Sequence, residues 1–365
     1  MKVLKDFDFK GKRVLVRCDF NTPLTPKGDI LDDFRIKKTI PTIEYLIKKK
    51  AKVILMSHLG RPGGKVVEDL RLDKIQEKLM EYLDLSVVKA KDCIGQEIED
   101  WINQIKLGEI LLLENLRFHK GEKENDPKFA KALSELGDIF INEAFATSHR
   151  SHASIIGIPK YLPSAAGFLL EKEIKSLTRI IKNPEKPLVA VVGGIKFETK
   201  IKLLDKLQEL CDFELIGGKF TLEILKQNLE KYLSEEVILA KDVYVLEKNK
   251  NLVLRNIRNL KGDEFAPDIG PETIKIFGEK ITTAKTIFWN GPLGFVEEKR
   301  FREGTRKIAE KIIESGAYSV VGGGETIKVL SELNLLDKFD HVCSGGGALV
   351  DFVVDEELVG VEALK

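Results

Sequence analysis

The fold is indicated most clearly by the stretch KVILMSHLGRP, Lys52–Pro62. After the lysine come four apolar residues, VILM, and a short run of this kind predicts a strand that is buried on both faces. Polar side chains then follow at once, with His58 and Arg61 separated by Leu59 and Gly60. A buried strand that ends in such a group is typical of a ligand site at the carboxyl edge of a parallel sheet.

The same pattern recurs along the whole chain. The first half contains RVLVRCDFN (13–21), EILLLENLRF (109–118) and DIFINEAF (138–145), and the second half contains PLVAVVGG (187–194), FELIGG (213–218), TIFWNGPLG (286–294), SVVGGGET (319–326) and HVCSGGGA (341–348). Segments between these runs, such as KIQEKLMEYL (74–83), have the spacing of amphipathic helices. The alternation predicts an α/β fold with parallel sheets that carry helices on both faces.

The chain has 365 residues and is 43% hydrophobic, which favours two domains with sizeable cores. The segment GFLLEKEIKSLTRIIKNPEKP (167–187) predicts one helix that ends near two prolines, and no apolar strand run precedes it. We therefore interpret this helix as a connector. The predicted division is a first domain at 1–168 that is joined by the C-terminal tail from about 352 to 365, a connecting helix at 169–183, and a second domain at 184–351.

Composition excludes several classes of protein. The 59 basic and 58 acidic residues give a net charge of +1, which argues against a protein that binds nucleic acids or membrane surfaces. The four cysteines are far apart and form no CxxC pair, so zinc-finger and disulfide frameworks are not expected. The N-terminus lacks a signal-peptide core, and no apolar run is long enough to span a bilayer. We predict a cytoplasmic globular protein.

The ends of the predicted strands differ between the two halves. In the first half cationic side chains lie at or just after these ends: Arg35, Arg61, Arg117 and Arg150, with His58, His149 and His152. Guanidinium groups match phosphate and carboxylate oxygens, so the set predicts a site for a small, strongly anionic molecule. The alternative is a group of unrelated surface arginines.

In the second half the strand ends carry glycines. Gly322, Gly323 and Gly324 lead into a predicted helix, where backbone amides can bind phosphate. Glu325 follows them and could hold a metal ion, or could simply favour the helix dipole. Lys196 and Lys200 are four residues apart, so we expect them on one face of a helix, either binding an anion or solvated. A P-loop and a dinucleotide-binding GxGxxG motif are both absent, which disfavours those two enzyme classes.

Taken together, these segments resemble phosphoglycerate kinase nearly end to end. The matching stretches, in the order and at the approximate spacing of that family, are RVLVRCDFNTPL, DDFRI, MSHLGRPGGKVVEDLRL, LLLENLRFHKGEKEND, FINEAFATSHRSHAS, GGIKFETKI, PDIGPET, FWNGPLG, VVGGGET and SGGGA. The resemblance implies two doubly wound, Rossmann-like domains with a hinge and an interdomain cleft. It also implies a monomer that transfers the 1-phosphate of 1,3-bisphosphoglycerate to MgADP, giving 3-phosphoglycerate and MgATP.

The resemblance also implies residue roles. The first domain would bind the glycerate through Asp19, Asn21, Arg35, His58, Leu59, Gly60, Arg61, Arg117 and Arg150. The second would bind the nucleotide through Gly194, Lys196, Lys200, Gly291, Glu297, Gly322, Gly323, Gly324, Glu325 and Thr326, with Glu325 at the Mg²⁺ ion. Arg35, Lys196, Gly323 and Gly324 would stabilise the transferred phosphoryl group.

The chain departs from the family pattern at several positions. Glu143 and Glu325 stand where Asp is usual, and Ile195, Ala266-Pro267 and Leu349 replace the usual residues of the second half. These changes make base recognition the least certain part of the implied function. The alternatives are a non-catalytic anion-binding or scaffold protein that keeps the fold, and a kinase of another carboxylate. The first would be expected to lose Arg35 or Lys196, and both are present.

Overall fold

The computed structural model describes residues 1–194, 197, 200–260 and 264–365. The chain divides into an N-terminal unit, Met1–Ile174 with Glu357–Lys365, and a C-terminal unit, Lys175–Glu356. Each unit contains a six-stranded parallel sheet, which confirms the predicted pair of parallel-sheet α/β domains. Among the described residues, none of the helices combines the length and the apolar character that crossing a bilayer requires.

The sheet of the N-terminal unit has the strand order β3-β4-β2-β1-β5-β6. Its strands are β1 (Arg13–Arg17), β2 (Lys52–Met56), β3 (Val87–Lys89), β4 (Ile110–Leu112), β5 (Ile139–Asn142) and β6 (Ser164–Ala166). The helices that follow in sequence are α1 (Phe34–Lys48), α2 (Asp73–Leu83), α3 (Gln96–Gln104), α4 (Lys120–Glu124), α5 (Pro127–Glu135) and α6 (Phe168–Lys182). The central strands are buried almost completely, as their apolar composition predicted.

Helix α6 confirms the helix predicted in this segment, but the expectation that no strand precedes it is wrong. β6 pairs with β5 directly before the helix begins. Its sequence is SAA, which lacks the branched apolar side chains by which the other strands were recognised. Glu143 satisfies the start of α6, because its carboxylate accepts hydrogen bonds from the amides of Leu169 at 3.0 Å and Leu170 at 3.3 Å.

The sheet of the C-terminal unit has the strand order β15-β14-β13-β7-β8-β9. Its strands are β7 (Leu188–Val192), β8 (Phe213–Ile216), β9 (Val237–Leu239), β13 (Thr286–Asn290), β14 (Tyr318–Gly322) and β15 (His341–Val342). A second, antiparallel sheet, which the sequence analysis did not predict, consists of β10 (Asp242–Leu246), β11 (Leu252–Asn256) and β12 (Asp268–Ile269). The helices are α7 (Ile201–Leu210), α8 (Gly218–Lys226), α9 (Pro271–Ile281), α10 (Glu303–Ser315), α11 (Gly324–Glu332) and α12 (Gly346–Asp355).

The last nine residues of the chain, with helix α13 (Val359–Glu362), belong to the N-terminal unit. The Gly360 amide donates to the Ser148 carbonyl at 2.8 Å, and Asn142 Nδ2 donates to the Gly360 carbonyl at 3.3 Å. A Cβ atom at residue 360 would lie 3.0 Å from the Ser148 backbone, so this close approach requires glycine. The tail therefore packs near the end of β5.

Candidate active site

The carboxyl ends of neighbouring strands in the N-terminal unit bring together the polar side chains that the sequence placed there. β4, β2, β1 and β5 lie side by side, and because they are parallel their carboxyl ends share one edge of the sheet. Asp19 and Asn21 follow β1, His58 follows β2, and Arg117 follows β4. Asp19, His58 and Arg117 are all buried. The predicted anion site thus has a defined place in this unit.

The Gly60 and Leu59 backbone groups hold the loop after β2 against its neighbours. The Gly60 amide donates to Asn21 Oδ1 at 2.8 Å, and Arg117 Nη1 donates to the Gly60 carbonyl at 2.7 Å. Gly60 has a φ of +63°, a left-handed conformation that glycine adopts readily. Both backbone groups of Leu59 bond to the Asn115 side chain. The structure therefore uses these predicted contact residues to fix Asn21 and Arg117.

Arg35 projects from the first turn of α1 towards the end of β1. Its Nη1 donates to Asp19 Oδ2 and to the Asn21 carbonyl, both at 3.0 Å. The Arg35 side chain is 29% exposed, whereas the Asp19 side chain is 5% exposed. Asp19 thus orients a guanidinium group that still reaches solvent.

His58 is buried beside a permanent cation. Its Nδ1 lies 3.2 Å from Nη2 of Arg17, and because a guanidinium group can only donate, Nδ1 accepts and the ring proton lies on Nε2. Burial and the positive charges of Arg17, Arg117 and Arg35 hold the pKa of His58 well below its usual range. His58 is therefore a neutral hydrogen-bond donor.

Arg17 is a fully buried cation that the sequence analysis did not include in the site. Its Nε donates to Ser154 Oγ at 2.7 Å, and its Nη2 lies 3.8 Å from Glu122 Oε1. Glu122 is also buried and accepts from the Ser154 amide and hydroxyl at 3.0 and 2.7 Å. Burial tends to raise the pKa of Glu122, but His152, Arg17 and Ser154 lower it below its usual value. Glu122 lies in the charged segment HKGEKEND, so its burial has no signal in the sequence.

Arg117 carries a charge that its surroundings do not neutralise. Burial and the neighbouring charges of Arg17 and Arg150 lower its pKa to about 10. Its Nη1 bonds to a neutral carbonyl, and its buried Nε has no hydrogen-bond partner among the described residues. A buried donor without a partner is costly, so this geometry favours an anion beside Arg117.

The remaining predicted cations lie at the margin of this group. Arg61 is exposed, and Arg150 is half-buried with its Nε 3.2 Å from His149 Nε2. His152 is buried, and its Nδ1 lies 3.6 Å from Glu122 Oε1. The structure therefore brings Arg150 and His152 to the edge that holds Arg117 and leaves Arg61 in solvent.

In the C-terminal unit the strand ends approach one another through glycines. The Gly193 amide donates to the Asn290 carbonyl at 3.0 Å, and the Gly194 amide donates to the Pro292 carbonyl at 2.8 Å. A Cβ atom on Gly291 would lie 2.1 Å from the Gly193 carbonyl oxygen. These contacts require glycine and leave a surface of backbone at the ends of β7 and β13.

Lys200 is the N-cap of α7, which begins at Ile201, so it lies directly before the first turn of the helix. The expectation that Lys196 and Lys200 share a helical face stays a prediction. The Lys200 Nζ donates to the Gly193 and Asn290 carbonyls at 2.8 and 3.2 Å. Burial lowers the pKa of Lys200 to about 8, although the charge of Glu325 opposes this shift. Lys196 itself lies outside the described residues.

The third glycine segment starts α11 as predicted. Gly323 is the N-cap with a φ of +100°, Gly324 is the first helical residue, and Gly322 ends β14. Glu325 lies exposed in the first turn, and Glu297 is exposed. At the neighbouring ends of β13 and β14, the buried atoms Thr326 Oγ1 and Asn290 Nδ2 have no hydrogen-bond partner among the described residues. The sequence analysis named Thr326 as a site residue and missed Asn290.

A cavity of about 300 Å³ lies between these glycines and the loop before β12. Its lining includes Gly193, Gly194, Gly217, Gly218, Lys219, Phe265, Ala266, Pro267, Pro292, Leu293, Gly294 and Phe295. The lining is mostly backbone and apolar side chain, as is usual for small-molecule pockets. It includes Ala266 and Pro267, where the chain departs from the family pattern.

Comparisons with known proteins agree with this geometry. The family model described as phosphoglycerate kinase matches residues 4–231 and 221–356. A phosphoglycerate kinase of Dictyoglomus turgidum is 44% identical over 388 residues, covering 99% of this chain and 98% of that protein. One of Coprothermobacter proteolyticus is 41% identical over 389 residues, covering 100% of this chain and 98% of that protein.

Solved structures are similar along the same length. Phosphoglycerate kinase from Coxiella burnetii has a TM-score of 0.83 and 35% identity, covering 99% of this chain and 98% of that one. The enzyme from Pyrococcus horikoshii has a TM-score of 0.88 and 31% identity, covering 100% and 98%. The chain therefore belongs to the phosphoglycerate kinase family, the kinases that carry out reversible phosphoryl transfer in glycolysis.

Proposed function

We propose that the N-terminal unit binds 3-phosphoglycerate or 1,3-bisphosphoglycerate, and that the C-terminal unit binds MgATP or MgADP. The reaction moves the 1-phosphate of 1,3-bisphosphoglycerate to MgADP and is reversible. The observation that carries this assignment is the buried Arg117, which bonds to a neutral carbonyl and, within the described part of the chain, to no carboxylate. Such a site is completed by an anionic ligand.

The glycerate ligand would bind to donors that the fold has already oriented. Arg35 is held by Asp19, and His58 presents Nε2–H because its Nδ1 faces Arg17. A neutral donor and fixed guanidinium groups suit carboxylate and phosphate oxygens. Asn21, Arg61 and Arg150 are proposed as further contacts at the edge of this site, with Leu59 and Gly60 as the loop that positions them.

The nucleotide phosphates would bind at the glycine surface of the C-terminal unit. The proposed contacts are Gly194, Lys196, Lys200, Gly291, Glu297, Gly322, Gly323, Gly324, Glu325 and Thr326. Support comes from the partnerless Thr326 hydroxyl and from the N-terminus of α11, where amides and the helix dipole favour negative charge. The cavity bordered by Pro267 and Lys219 would take the base.

Mg²⁺ fits the residues at this helix start. The exposed Glu325 carboxylate offers the oxygen ligand that Mg²⁺ prefers, and Mg²⁺ commonly binds through one or two carboxylates and substrate phosphates. Bound there, the ion would neutralise phosphate charge. Glu325 also lies close enough to Lys200 to raise its pKa against the effect of burial. Glu325 would therefore hold the ion while Lys200 donates to phosphate oxygens.

The protein groups assist transfer by charge and position. The acceptor oxygen is already ionised in either direction of the reaction, so no general base is required. Positive groups are needed to stabilise the negative charge on the equatorial oxygens of the transferred phosphoryl group. Arg35, Lys196 and the Gly323 and Gly324 amides are proposed for this task. The comparisons give no support to the non-catalytic alternative. The monomeric state and the cytoplasmic location stay predictions from the sequence.

The test is a coupled assay with 3-phosphoglycerate, ATP and Mg²⁺ on the wild type, Arg35→Ala and Arg13→Ala. Arg35→Ala should lower kcat by about 10³-fold or more, the usual effect of losing a charge-stabilising arginine in phosphoryl transfer. Arg13 is the matched control, because it forms a half-exposed ion pair with Asp138 at the opposite end of β1. A kcat of Arg35→Ala within tenfold of wild type, with Arg13→Ala normal, would refute the role of Arg35.

A further inference from the structure

A group of three possible metal ligands lies apart from the residues assigned to phosphoryl transfer. Asp92 and Cys93 follow β3, and His119 follows the turn after β4, so the neighbouring strands bring them together. One carboxylate oxygen, the Cys93 sulfur and an imidazole nitrogen all lie within 4.8 Å of one another. His119 Nε2 already lies 2.5 Å from Asp92 Oδ1. We propose that Asp92, Cys93 and His119 form a binding site for a borderline transition-metal cation, Zn²⁺ foremost.

The donor set selects this class of cation. A thiolate, an imidazole and a carboxylate together suit Zn²⁺, whereas Mg²⁺ and Ca²⁺ prefer oxygen ligands alone. The sequence analysis excluded zinc frameworks built from several cysteines, and that exclusion does not extend to a site with one cysteine. Asp92 and Cys93 are adjacent but His119 lies much further along the chain, so no short motif reveals the three ligands together.

The geometry requires only small movements. With ligand distances of about 2.0–2.3 Å, neighbouring ligand atoms of a tetrahedral zinc site lie roughly 3.3–3.6 Å apart. The Asp92–His119 pair must therefore widen by about 1 Å, and the most separated ligand atoms must approach by about the same amount. The Asp92 side chain is 55% exposed and the His119 side chain 28%, so both can move while Cys93 stays buried. The exposed side leaves a fourth position for water.

Charge also favours the cation. Binding would displace the Cys93 thiol proton, which now points to the Glu114 carbonyl at 2.9 Å, and release it to solvent. The thiolate and the Asp92 carboxylate then balance the two charges of the ion, and neutral His119 adds none. The nearby cations Lys89 and Arg71 share Glu114, at 2.8 and 3.0 Å. Arg71 also pairs with Glu68 at 2.6 Å and Lys89 with Asp73 at 3.3 Å, so three carboxylates compensate the repulsion of the two cations.

The site would join two segments of the N-terminal unit. His119 is the N-cap of α4, and this short helix carries Glu122, whose carboxylate lies beside Arg17. A bound ion would tie α4 to the loop after β3. Because binding favours the folded state, Zn²⁺ should raise the unfolding temperature of the protein.

The experiment measures Zn²⁺ binding to the chelator-stripped, full-length protein by competition with a chromophoric chelator. Excess Mg²⁺ is present throughout to occupy sites made of oxygen ligands. The variants are His119→Gln and Cys93→Ser, and the matched control is Cys211→Ser, which changes another buried thiol. Co²⁺ is the spectroscopic probe, because thiolate coordination adds a ligand-to-metal charge-transfer band.

The wild type and Cys211→Ser should bind one more equivalent of Zn²⁺ than His119→Gln and Cys93→Ser. The loss of affinity should exceed about 100-fold, since even substitutions beyond the direct ligands cost 10–100-fold. The Co²⁺ band and the Zn²⁺-dependent rise in unfolding temperature should disappear with that equivalent. His119→Gln alters a partly exposed side chain, so it tests the site even if Cys93→Ser folds poorly. Equal stoichiometry and affinity in the wild type and His119→Gln would overturn the proposal, as would wild-type binding only at millimolar Zn²⁺.

Discussion

Glu143 should make the protein lose stability as the pH rises through neutrality. The side chain is completely buried, with its Oε1 accepting from the Thr42 hydroxyl and the Leu169 amide and its Oε2 accepting from the Leu170 amide. Burial raises its pKa to about 7, and the charge of Glu173 adds to this effect, while the three hydrogen bonds oppose it. The carboxyl group is therefore harder to ionise in the folded protein than in the unfolded chain.

The sign and size of the effect follow by linkage. Below a pH of about 4.5 Glu143 is protonated in both states and its ionisation costs nothing. As the pH rises towards 7 the unfolded chain ionises first, and folding must either take up a proton or bury a charge. A pKa of about 7 against the ordinary 4.5 is a difference of 2.5, and each pKa unit corresponds to about 1.4 kcal/mol. The folded state should lose about 2–3 kcal/mol between pH 5 and pH 8 from this group alone.

The assay compares the wild type with Glu143→Gln, which approximates the protonated side chain. Urea unfolding at pH 5 and pH 8 is followed by circular dichroism, and hydrogen exchange of peptides that cover β1 reports on the N-terminal unit. Subtracting the free energy of unfolding of the wild type from that of Glu143→Gln cancels the effect of every other titrating group. This difference should grow by about 2–3 kcal/mol in favour of Glu143→Gln from pH 5 to pH 8. Glu135→Gln is the control, because Glu135 is 64% exposed. A stability difference between Glu143→Gln and wild type that does not change with pH would refute the reasoning.

Three further predictions concern the C-terminal unit. Because the pKa of Lys200 is about 8, MgADP binding should weaken as the pH rises from 7 to 9.5. Calorimetry should detect this weakening in the wild type but not in Lys200→Arg, and an equal pH dependence in both proteins would contradict the prediction. Neither carboxylate oxygen of the buried Glu214 has a hydrogen-bond partner among the described residues, and burial raises the pKa of this side chain well above the usual value. Glu214→Met should therefore raise the free energy of unfolding at pH 7 by about 1–3 kcal/mol, measured in urea, and a loss of stability would contradict this prediction. The altered base cavity at Pro267 should discriminate only weakly between the two purine bases, so kcat/KM for GTP should be within about tenfold of that for ATP, a gap of roughly 1.4 kcal/mol. A preference for ATP beyond a hundredfold would contradict this prediction.

The central strands could be predicted from sequence because their environment is uniform. β1, β2, β7 and β13 are covered on both faces, so their residues form continuous apolar runs. Within the two parallel sheets the missed strands are β3, β6 and β9, and each lies at the edge of its sheet and has three residues. At an edge a strand is defined by pairing with one neighbour, and three residues carry too little pattern to reveal that pairing.

The site could be predicted only as far as positions along the chain allow. Arg117 and His58 were placed correctly because each follows a recognisable strand. The sequence could not show that Arg17 turns away from solvent to meet Glu122 and Ser154, since that contact depends on how α4 packs. The sequence also could not show that α7 begins at Ile201, one residue after Lys200, because the start of a helix depends on local hydrogen bonds.

The anion sites proposed for the two units are built in different ways. In the N-terminal unit Arg117 is held by the Gly60 carbonyl, whereas Arg35 divides its Nη1 bonds between the Asn21 carbonyl and the Asp19 carboxylate. A carbonyl fixes an arginine without cancelling its charge, so the charge stays available to a ligand.

The site proposed in the C-terminal unit uses backbone instead, and its cation Lys200 is also held by carbonyls, those of Gly193 and Asn290. Burial makes that ammonium group less basic, and a bound phosphate would restore its pKa. Each proposed site therefore contains a cation that carbonyls keep oriented when no anion is bound, and a bound anion would recover the desolvation cost of that cation's burial.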